Sequence, residues 1–120
     1  MAKKVLVVDD SPTVRQQVTL ALRQAGYDTV EACDGLEGTK KLDATVGMVI
    51  CDVNMPRMNG IEMLEAIKRE GKHTGVPVVM LTTEGHPALI ERAKKAGVKG
   101  WIVKPFKADQ LVAAVAKLVR

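Results

Sequence analysis

The sequence has few of the residues that mark several large protein classes. Among its 120 residues are only three aromatic side chains and two cysteines, and no apolar run is long. Two cysteines are too few for a disulfide framework or a four-ligand zinc site. A membrane span needs roughly 18 consecutive apolar residues, and the N-terminus lacks a signal-peptide pattern. These absences favour a cytoplasmic protein that does not insert into a membrane.

The positive charge of the chain is weak evidence for a nucleic-acid partner. The net charge is +4, with 18 basic and 14 acidic side chains. The basic residues are mostly lysines interleaved with glutamates, and the three aromatic residues offer little surface for base stacking. We therefore expect no direct binding to nucleic acid.

Length and composition indicate one ordinary globular domain. Globular domains most often hold about 100 to 150 residues, and 47% of this chain is hydrophobic, which is enough for a single core. The sequence shows no linker, repeat or low-complexity tract. We interpret residues 1–120 as one domain.

Five short apolar runs predict five β-strands. Each is too short for a buried helix, and most are rich in β-branched residues. Their nearly unbroken apolar character is typical of a parallel sheet that is covered by helices on both faces. The predicted strands are Lys4 to Val8, Thr29 to Ala32, Met48 to Cys51, Val76 to Leu81 and Gly100 to Val103.

Helical patterns alternate with these strands. The first is the clearest, because Ser11 is a favourable N-cap, Pro12 suits the first helical position and Gly26 ends the apolar periodicity. Weaker patterns predict four more helices, around residues 36–42, 59–71, 86–97 and 111–118. Alternating strands and helices with right-handed crossovers predict an α/β fold, a doubly wound five-stranded parallel sheet of (βα)5 type.

Polar side chains follow the predicted strands where ligands bind in such sheets, at the carboxyl edge. Three carboxylates brought together repel one another, so a divalent cation would neutralise them, and an all-oxygen site favours Mg²⁺, with Mn²⁺ as a substitute, over zinc. The residues that converge at this edge are Asp9, Asp10, Asp52, Thr82, Thr83, Lys104 and Pro105.

Four stretches of the sequence carry a resemblance to a known family. They are VLVVDDSPTVR, CDVNMPRMNG, VVMLTTE and GWIVKPF, in that order along the chain. Together they resemble the receiver domain of two-component response regulators, most closely the stand-alone receivers of chemotaxis. The resemblance covers the chain from end to end and implies the flavodoxin-like strand order 2-1-3-4-5.

The resemblance also implies a role for each residue at the carboxyl edge. Asp52 would accept a phosphoryl group, and Mg²⁺ would be held by Asp9, Asp10, Asp52 and the backbone carbonyl of Asn54. Lys104 would add positive charge where the transferring oxygens lie, and such charge offsets the repulsion between a carboxylate and a phosphodonor.

Further positions implied by the family concern switching and lifetime. Thr82 would hydrogen-bond the new acyl phosphate, and Trp101, which stands where the family usually has Tyr or Phe, would swing inward with it. Asn54 and Glu84 form the chemotaxis-type pair that predicts a phosphoryl lifetime of seconds to minutes. The Lys104–Pro105 peptide bond is expected to be cis, as in the family.

We therefore expect a receiver that takes a phosphoryl group from a sensor histidine kinase and is monomeric before phosphorylation. It would not be an enzyme beyond phosphorylating and dephosphorylating itself. A face made of the fourth helix, fifth strand and fifth helix would bind a target protein, such as the flagellar motor switch. Val112 and Val119 lie outside the main apolar stripe of the last helix, which predicts an exposed apolar strip there.

Three alternatives stay open at this point. The chain could be a phosphate sink or relay, or a receiver fragment of a DNA-binding regulator. It could also be a Mg²⁺-dependent phosphohydrolase that uses an aspartyl phosphate, although Asn54 stands where those enzymes carry a second aspartate as the general acid.

Overall fold

The fold alternates five strands with five helices. A computed structural model describes residues 4–73, 75–83 and 85–119. The strands are β1 (Lys4–Val8), β2 (Thr29–Ala32), β3 (Val46–Cys51), β4 (Val78–Thr82) and β5 (Gly100–Val103). The helices are α1 (Pro12–Gln24), α2 (Gly35–Lys41), α3 (Gly60–Glu70), α4 (Pro87–Lys95) and α5 (Ala108–Leu118).

The predicted elements are all present, with small shifts at two strands. β3 begins at Val46 rather than Met48, because Val46 pairs with Lys4 at the start of β1. β4 begins at Val78 rather than Val76, since Pro77 has no N–H to donate to a neighbouring strand. β4 also ends one residue later than predicted, at Thr82 rather than Leu81.

The sheet is parallel throughout, with the strand order β2-β1-β3-β4-β5. The expected α/β fold and the order 2-1-3-4-5 are confirmed. The order reverses between β1 and β3, so the residues that follow these two strands lie side by side. Val8 pairs with Cys51, which brings Asp9 and Asp52 to the same level of the edge.

Two apolar clusters cover the two faces of the sheet. One contains buried side chains of α1 and α5, such as Val18 and Leu111. The other contains buried side chains of α3 and α4, such as Ile61 and Ala93. Successive residues of each central strand contribute to opposite clusters, as a strand buried on both faces requires.

The exposed apolar surface differs from the expectation at the last helix. Val112 and Val119 are half-buried, and Val119 packs against the cluster under α1 and α5. Among the residues that the structure describes, the exposed large apolar ones are Leu20 on α1 and Val103 on β5. On the predicted target-binding face, Val103 is therefore more exposed than either Val112 or Val119.

Within the described part of the chain, no helix is both long enough and apolar enough to cross a membrane.

Candidate functional site

Three carboxylates gather at the carboxyl edge of the sheet. Asp9 and Asp10 follow β1, Asp52 follows β3, and each offers an oxygen within 4.8 Å of the others. Asp9 and Asp52 are buried, whereas Asp10 is exposed. The site is therefore open to solvent on the Asp10 side and closed by the fold on the other.

Asp9 is fixed by the turn that leads into α1. Its Oδ1 accepts from the backbone N–H of Ser11 at 2.9 Å, and Ser11 in turn caps α1 by accepting from Val14. Its carbonyl oxygen accepts from the Arg15 guanidinium at 2.5 Å. The start of α1 thus determines where the Asp9 carboxylate lies.

Asp52 is fixed by both neighbouring segments of backbone. Its N–H donates to the Val8 carbonyl at 2.9 Å, continuing the ladder between β1 and β3. Its Oδ1 accepts from the N–H of Val53 at 2.7 Å, which leaves Oδ2 directed at Lys104. Gly60 packs against its carbonyl oxygen so closely that an added Cβ would lie 2.1 Å from it.

Lys104 joins the two buried carboxylates. Its Nζ lies 2.8 Å from Asp9 Oδ2 and 3.2 Å from Asp52 Oδ2. Partial burial alone would lower the pKa of Lys104, but the hydrogen bond to Asp9 and the charge of Asp52 outweigh burial and raise that pKa above its usual value. Lys104 is therefore a cation throughout the physiological pH range.

The backbone at the end of β5 holds Lys104 in place. Its N–H donates to the Thr82 carbonyl at 2.9 Å, which ties the end of β4 to the end of β5. The Lys104–Pro105 peptide bond is cis.

The electrostatic balance of the site suits a hard cation. Three carboxylates and one ammonium leave two negative charges uncompensated. All the candidate ligands are oxygens, which suit Mg²⁺ or Mn²⁺ better than zinc. The residues present therefore fit a divalent cation.

Asn54 lies in the segment between Asp52 and α3, where it is exposed. Glu84, the second residue of the predicted lifetime pair, lies outside the described residues.

Thr82 and Trp101 lie on one face of the sheet. Thr82 lies two residues after Met80 in β4, so the two side chains are on the same face of the sheet. Met80 and Trp101 both pack in the cluster beneath α3 and α4. Thr82 is fully buried, and Met80 pairs with Trp101 in the strand ladder. The two predicted switch residues are thus on adjacent strands of the same face.

Two arginines near the site were not singled out from the sequence. Arg15 binds the Asp9 carbonyl, and Arg57 pairs with the buried Asp34. No local pattern identifies either contact, because the partners lie 6 and 23 residues away in the chain.

A family model and individual relatives both match this chain over most of its length. A family model described as Response regulator receiver domain matches residues 5–116. Chemotaxis protein CheY1 of Helicobacter pylori is 43% identical over 106 residues, which are 86% of this chain and 86% of that protein. A Chemotaxis protein CheY homolog of Campylobacter jejuni is 45% identical over 108 residues, covering 86% and 82% of the two chains.

Solved structures share the whole fold. Chemotaxis protein CheY4 of Vibrio cholerae, crystallised at low pH, superposes with a TM-score of 0.91 at 38% identity, covering 99% of this chain and 100% of that one. A CheY-like receiver domain protein of Methanospirillum hungatei is 24% identical and has a TM-score of 0.89, covering 98% and 93% of the two chains. At that identity the second likeness speaks only for the fold.

Proposed function

Since the chain belongs to the response regulator receiver family, we propose that it accepts a phosphoryl group on Asp52 and signals by the resulting change of surface. The observation that carries the proposal is the position of the Asp52 carboxylate. It is buried at the sheet edge, within 4.8 Å of two further carboxylates, and its Oδ2 lies 3.2 Å from the Lys104 ammonium.

The proposed reaction is the transfer of a phosphoryl group to a carboxylate oxygen. One oxygen of Asp52 forms a bond to phosphorus while the phosphorus–nitrogen bond of a phosphohistidine breaks, and the electron pair returns to the donor imidazole. In the later hydrolysis that ends the signal, water attacks the phosphorus, the bond to Asp52 breaks and inorganic phosphate leaves. Both steps need the negative charge around phosphorus to be offset.

Asp9, Asp10, Asp52 and the Asn54 carbonyl are the residues that would hold Mg²⁺. When bound, the cation supplies positive charge that makes the approach of an anionic donor to a carboxylate favourable. Lys104 supplies the same kind of charge from the protein. Because Asp9 and Asp52 already share the Lys104 ammonium, we expect that ammonium to turn to the phosphoryl oxygens after transfer.

Thr82 and Trp101 are proposed to carry the change of surface. The Thr82 hydroxyl would hydrogen-bond the acyl phosphate, and its movement on the face beneath α4 would leave space for the Trp101 ring. Trp101 is half-buried in that cluster, two residues before the exposed Val103 on β5. A shift of the ring would therefore alter the surface made of α4, β5 and α5.

The proposed partners follow from this scheme. The donor is a sensor histidine kinase, and the relatives named chemotaxis proteins support a target in chemotaxis, such as the flagellar motor switch. The Asn54 and Glu84 pair supports a phosphoryl lifetime of seconds to minutes. Residues 1–120 as one receiver domain, the monomeric resting state and the cytoplasmic location stay predictions.

The first experiment measures intact mass and Trp101 fluorescence after adding Mg²⁺ and acetyl phosphate. In wild-type protein we expect a mass gain of one phosphoryl group together with a fluorescence change. Asp52→Asn is nearly isosteric and should show neither. Trp101 is the only tryptophan, so the fluorescence reports on β5 alone.

Two results would count against the proposal. No mass gain from either acetyl phosphate or a phosphorylated kinase would show that Asp52 is not an acceptor. A mass gain without a fluorescence change, and without any difference in binding to a motor-switch peptide, would instead favour the phosphate sink.

A further inference from the structure

The segment between Asp52 and α3 must be held in place by contacts other than helix or strand ladders. We call residues 53–59 the acceptor segment, since it joins the proposed acceptor to α3. At its end, the Gly60 N–H donates to the Val53 carbonyl at 3.0 Å, which closes the segment into a loop. Within the segment, the Met58 carbonyl accepts from the N–H of Gly35 at 3.0 Å.

Arg57 occupies a backbone conformation that an arginine rarely adopts. Its φ is 64°, in the left-handed region that favours glycine and asparagine. A residue persists in such a conformation when its surroundings over-determine it. The side-chain contacts of Arg57 with Asp34 hold the backbone in this conformation.

The guanidinium of Arg57 binds the carboxylate of Asp34, the N-cap residue of α2. Its Nε donates to Asp34 Oδ2 at 2.7 Å, and its Nη2 donates to the same oxygen. The other oxygen of Asp34 caps α2 by accepting from the Glu37 N–H at 2.9 Å. Asp34 is buried, so its charge needs these partners.

The start of α2 is also in direct contact with the acceptor segment. An added Cβ on Gly35 would lie 2.6 Å from the Met58 carbonyl oxygen. The cap of α2 and the acceptor segment therefore meet through two neighbouring contacts, one through Arg57 and Asp34 and one through Met58 and Gly35.

We propose that Arg57 is a positioning residue for the phosphoryl-transfer site. Its ion pair with Asp34 fixes the acceptor segment against α2, and thereby fixes where Asn54 presents its carbonyl beside Asp52. The inference rests on the proposed function in one respect, the role of Asn54 toward Mg²⁺.

The test compares three variants at the ion pair with one control. Arg57→Asn tolerates the left-handed backbone but is too short to reach Asp34, and Arg57→Lys keeps the charge but only one donor group. Asp34→Asn keeps the helix cap and removes the charge. The control is Arg92→Gln, because Arg92 also binds a carboxylate through two nitrogens, that of Glu65, but between α3 and α4.

Two quantities are measured by NMR on each protein. The first is amide hydrogen exchange in the absence of metal, at Met58 and Gly60. The second is the Kd for Mg²⁺ from amide shifts. For Arg57→Asn and Asp34→Asn we expect faster exchange at the two amides, unchanged exchange in β1 and β3, and a Mg²⁺ Kd raised about tenfold.

Arg57→Lys should lie between these variants and wild type, and Arg92→Gln should match wild type in both quantities. In both Arg57→Asn and Asp34→Asn, either unchanged exchange at Met58 and Gly60 or an unchanged Kd for Mg²⁺ would overturn the proposal. So would a uniform rise in exchange across the sheet, since that would show a general loss of stability.

Failure of this inference is distinguishable from failure of the proposed function. If wild-type protein takes no phosphoryl group, the proposed function fails, but the exchange at Met58 and Gly60 still shows whether Arg57 holds the acceptor segment. If wild type is phosphorylated normally and the variants bind Mg²⁺ as tightly as wild type, only the role of Arg57 is wrong.

Discussion

Two clusters of charged side chains lie along the carboxyl edge of the sheet, and they differ in how their carboxylates are compensated. In the open cluster, which contains Asp9, Asp10 and Asp52, the single ammonium of Lys104 pairs with Asp9 and Asp52. In the closed cluster, Asp34 pairs with Arg57 and Glu37 pairs with Lys41.

The difference shows how one sheet edge serves both structure and chemistry. In the closed cluster the charges balance, and both oxygens of Asp34 are used by a helix cap and an ion pair. In the open cluster two negative charges are left for a cation to offset. A charge that folding leaves uncompensated costs stability but is available for binding.

The largest expected effect comes from the backbone that supports the open cluster. Gly60→Ala would place a Cβ 2.1 Å from the Asp52 carbonyl oxygen, which requires a shift of backbone rather than of a flexible side chain. We expect the free energy of unfolding to fall by about 3 kcal/mol, at the upper end of overpacking effects. Urea denaturation of the metal-free protein measures it.

Gly71→Ala is the matched control for this substitution. Gly71 has a φ of 74° but open space around it, so alanine there meets only backbone strain, which costs about 1 to 2 kcal/mol. If Gly60→Ala proved no more costly than Gly71→Ala, the acceptor segment would be more adaptable than its contacts indicate.

Neutralising one carboxylate in each cluster should change stability in opposite directions. Asp10→Asn removes a like charge from the open cluster, so we expect the metal-free protein to gain about 1 kcal/mol and to lose its stabilisation by Mg²⁺. Asp34→Asn removes the partner of Arg57, so we expect a loss of stability. Thermal melts with and without Mg²⁺ measure both, and a shift in the same direction for both variants would contradict the distinction.

The two clusters should also respond to opposite ends of the pH scale. The Glu37 N–H, against the effect of burial and with help from Arg57, holds the pKa of Asp34 below its ordinary value of 3.8. Asp34 therefore contributes stability above that pH, and the contribution is lost as the pH falls through its folded pKa. Asp34→Asn should flatten the acid side of the stability profile.

Lys104 should act on the alkaline side. Its pKa is raised above its ordinary value of 10.5, because Asp9 and Asp52 outweigh the effect of burial. It contributes stability below that pH, and the contribution is lost as the pH rises through the folded pKa. In urea titrations at stepped pH, Lys104→Met should flatten the alkaline side of the stability profile.

The smallest expected effect is on the reactivity of the two thiols. A hydrogen bond to Glu37 and then burial raise the pKa of Cys33 in the closed cluster, whereas burial chiefly raises the pKa of Cys51 beside the open cluster. Glu37→Gln should therefore speed the reaction of Cys33 with Ellman's reagent at mildly alkaline pH. Cys51, measured alone in Cys33→Ser, should stay slow.

Most of the fold followed from local patterns. The five strands were predicted from short apolar runs rich in β-branched residues. The five helices were predicted from apolar residues spaced every 3.6 residues, and strong signals such as Ser11–Pro12 marked a helix start. The errors fell at strand ends, where the pairing partner decides. β3 extends to Val46 because Lys4 pairs there, and a single segment does not contain that information.

The site followed from the sequence to a more limited degree. Placing Asp9, Asp10, Asp52 and Lys104 at one edge required only the rule that parallel strands end on the same side. The distances between them, and the sharing of the Lys104 ammonium by Asp9 and Asp52, were not predictable. They depend on the order of the strands in the sheet, which was implied by family resemblance and not by the residues.

The sequence by itself determined the class of fold, the edge at which chemistry is possible and the residues that converge there, because hydrophobic period and strand polarity are local properties. Only the tertiary structure decided which charges are compensated. Arg57 binds Asp34, which lies 23 residues away in the sequence, and Lys104 binds Asp9, which lies 95 residues away. Such pairs form only once the sheet has assembled. The balance of charge at each cluster is a property of those long-range contacts.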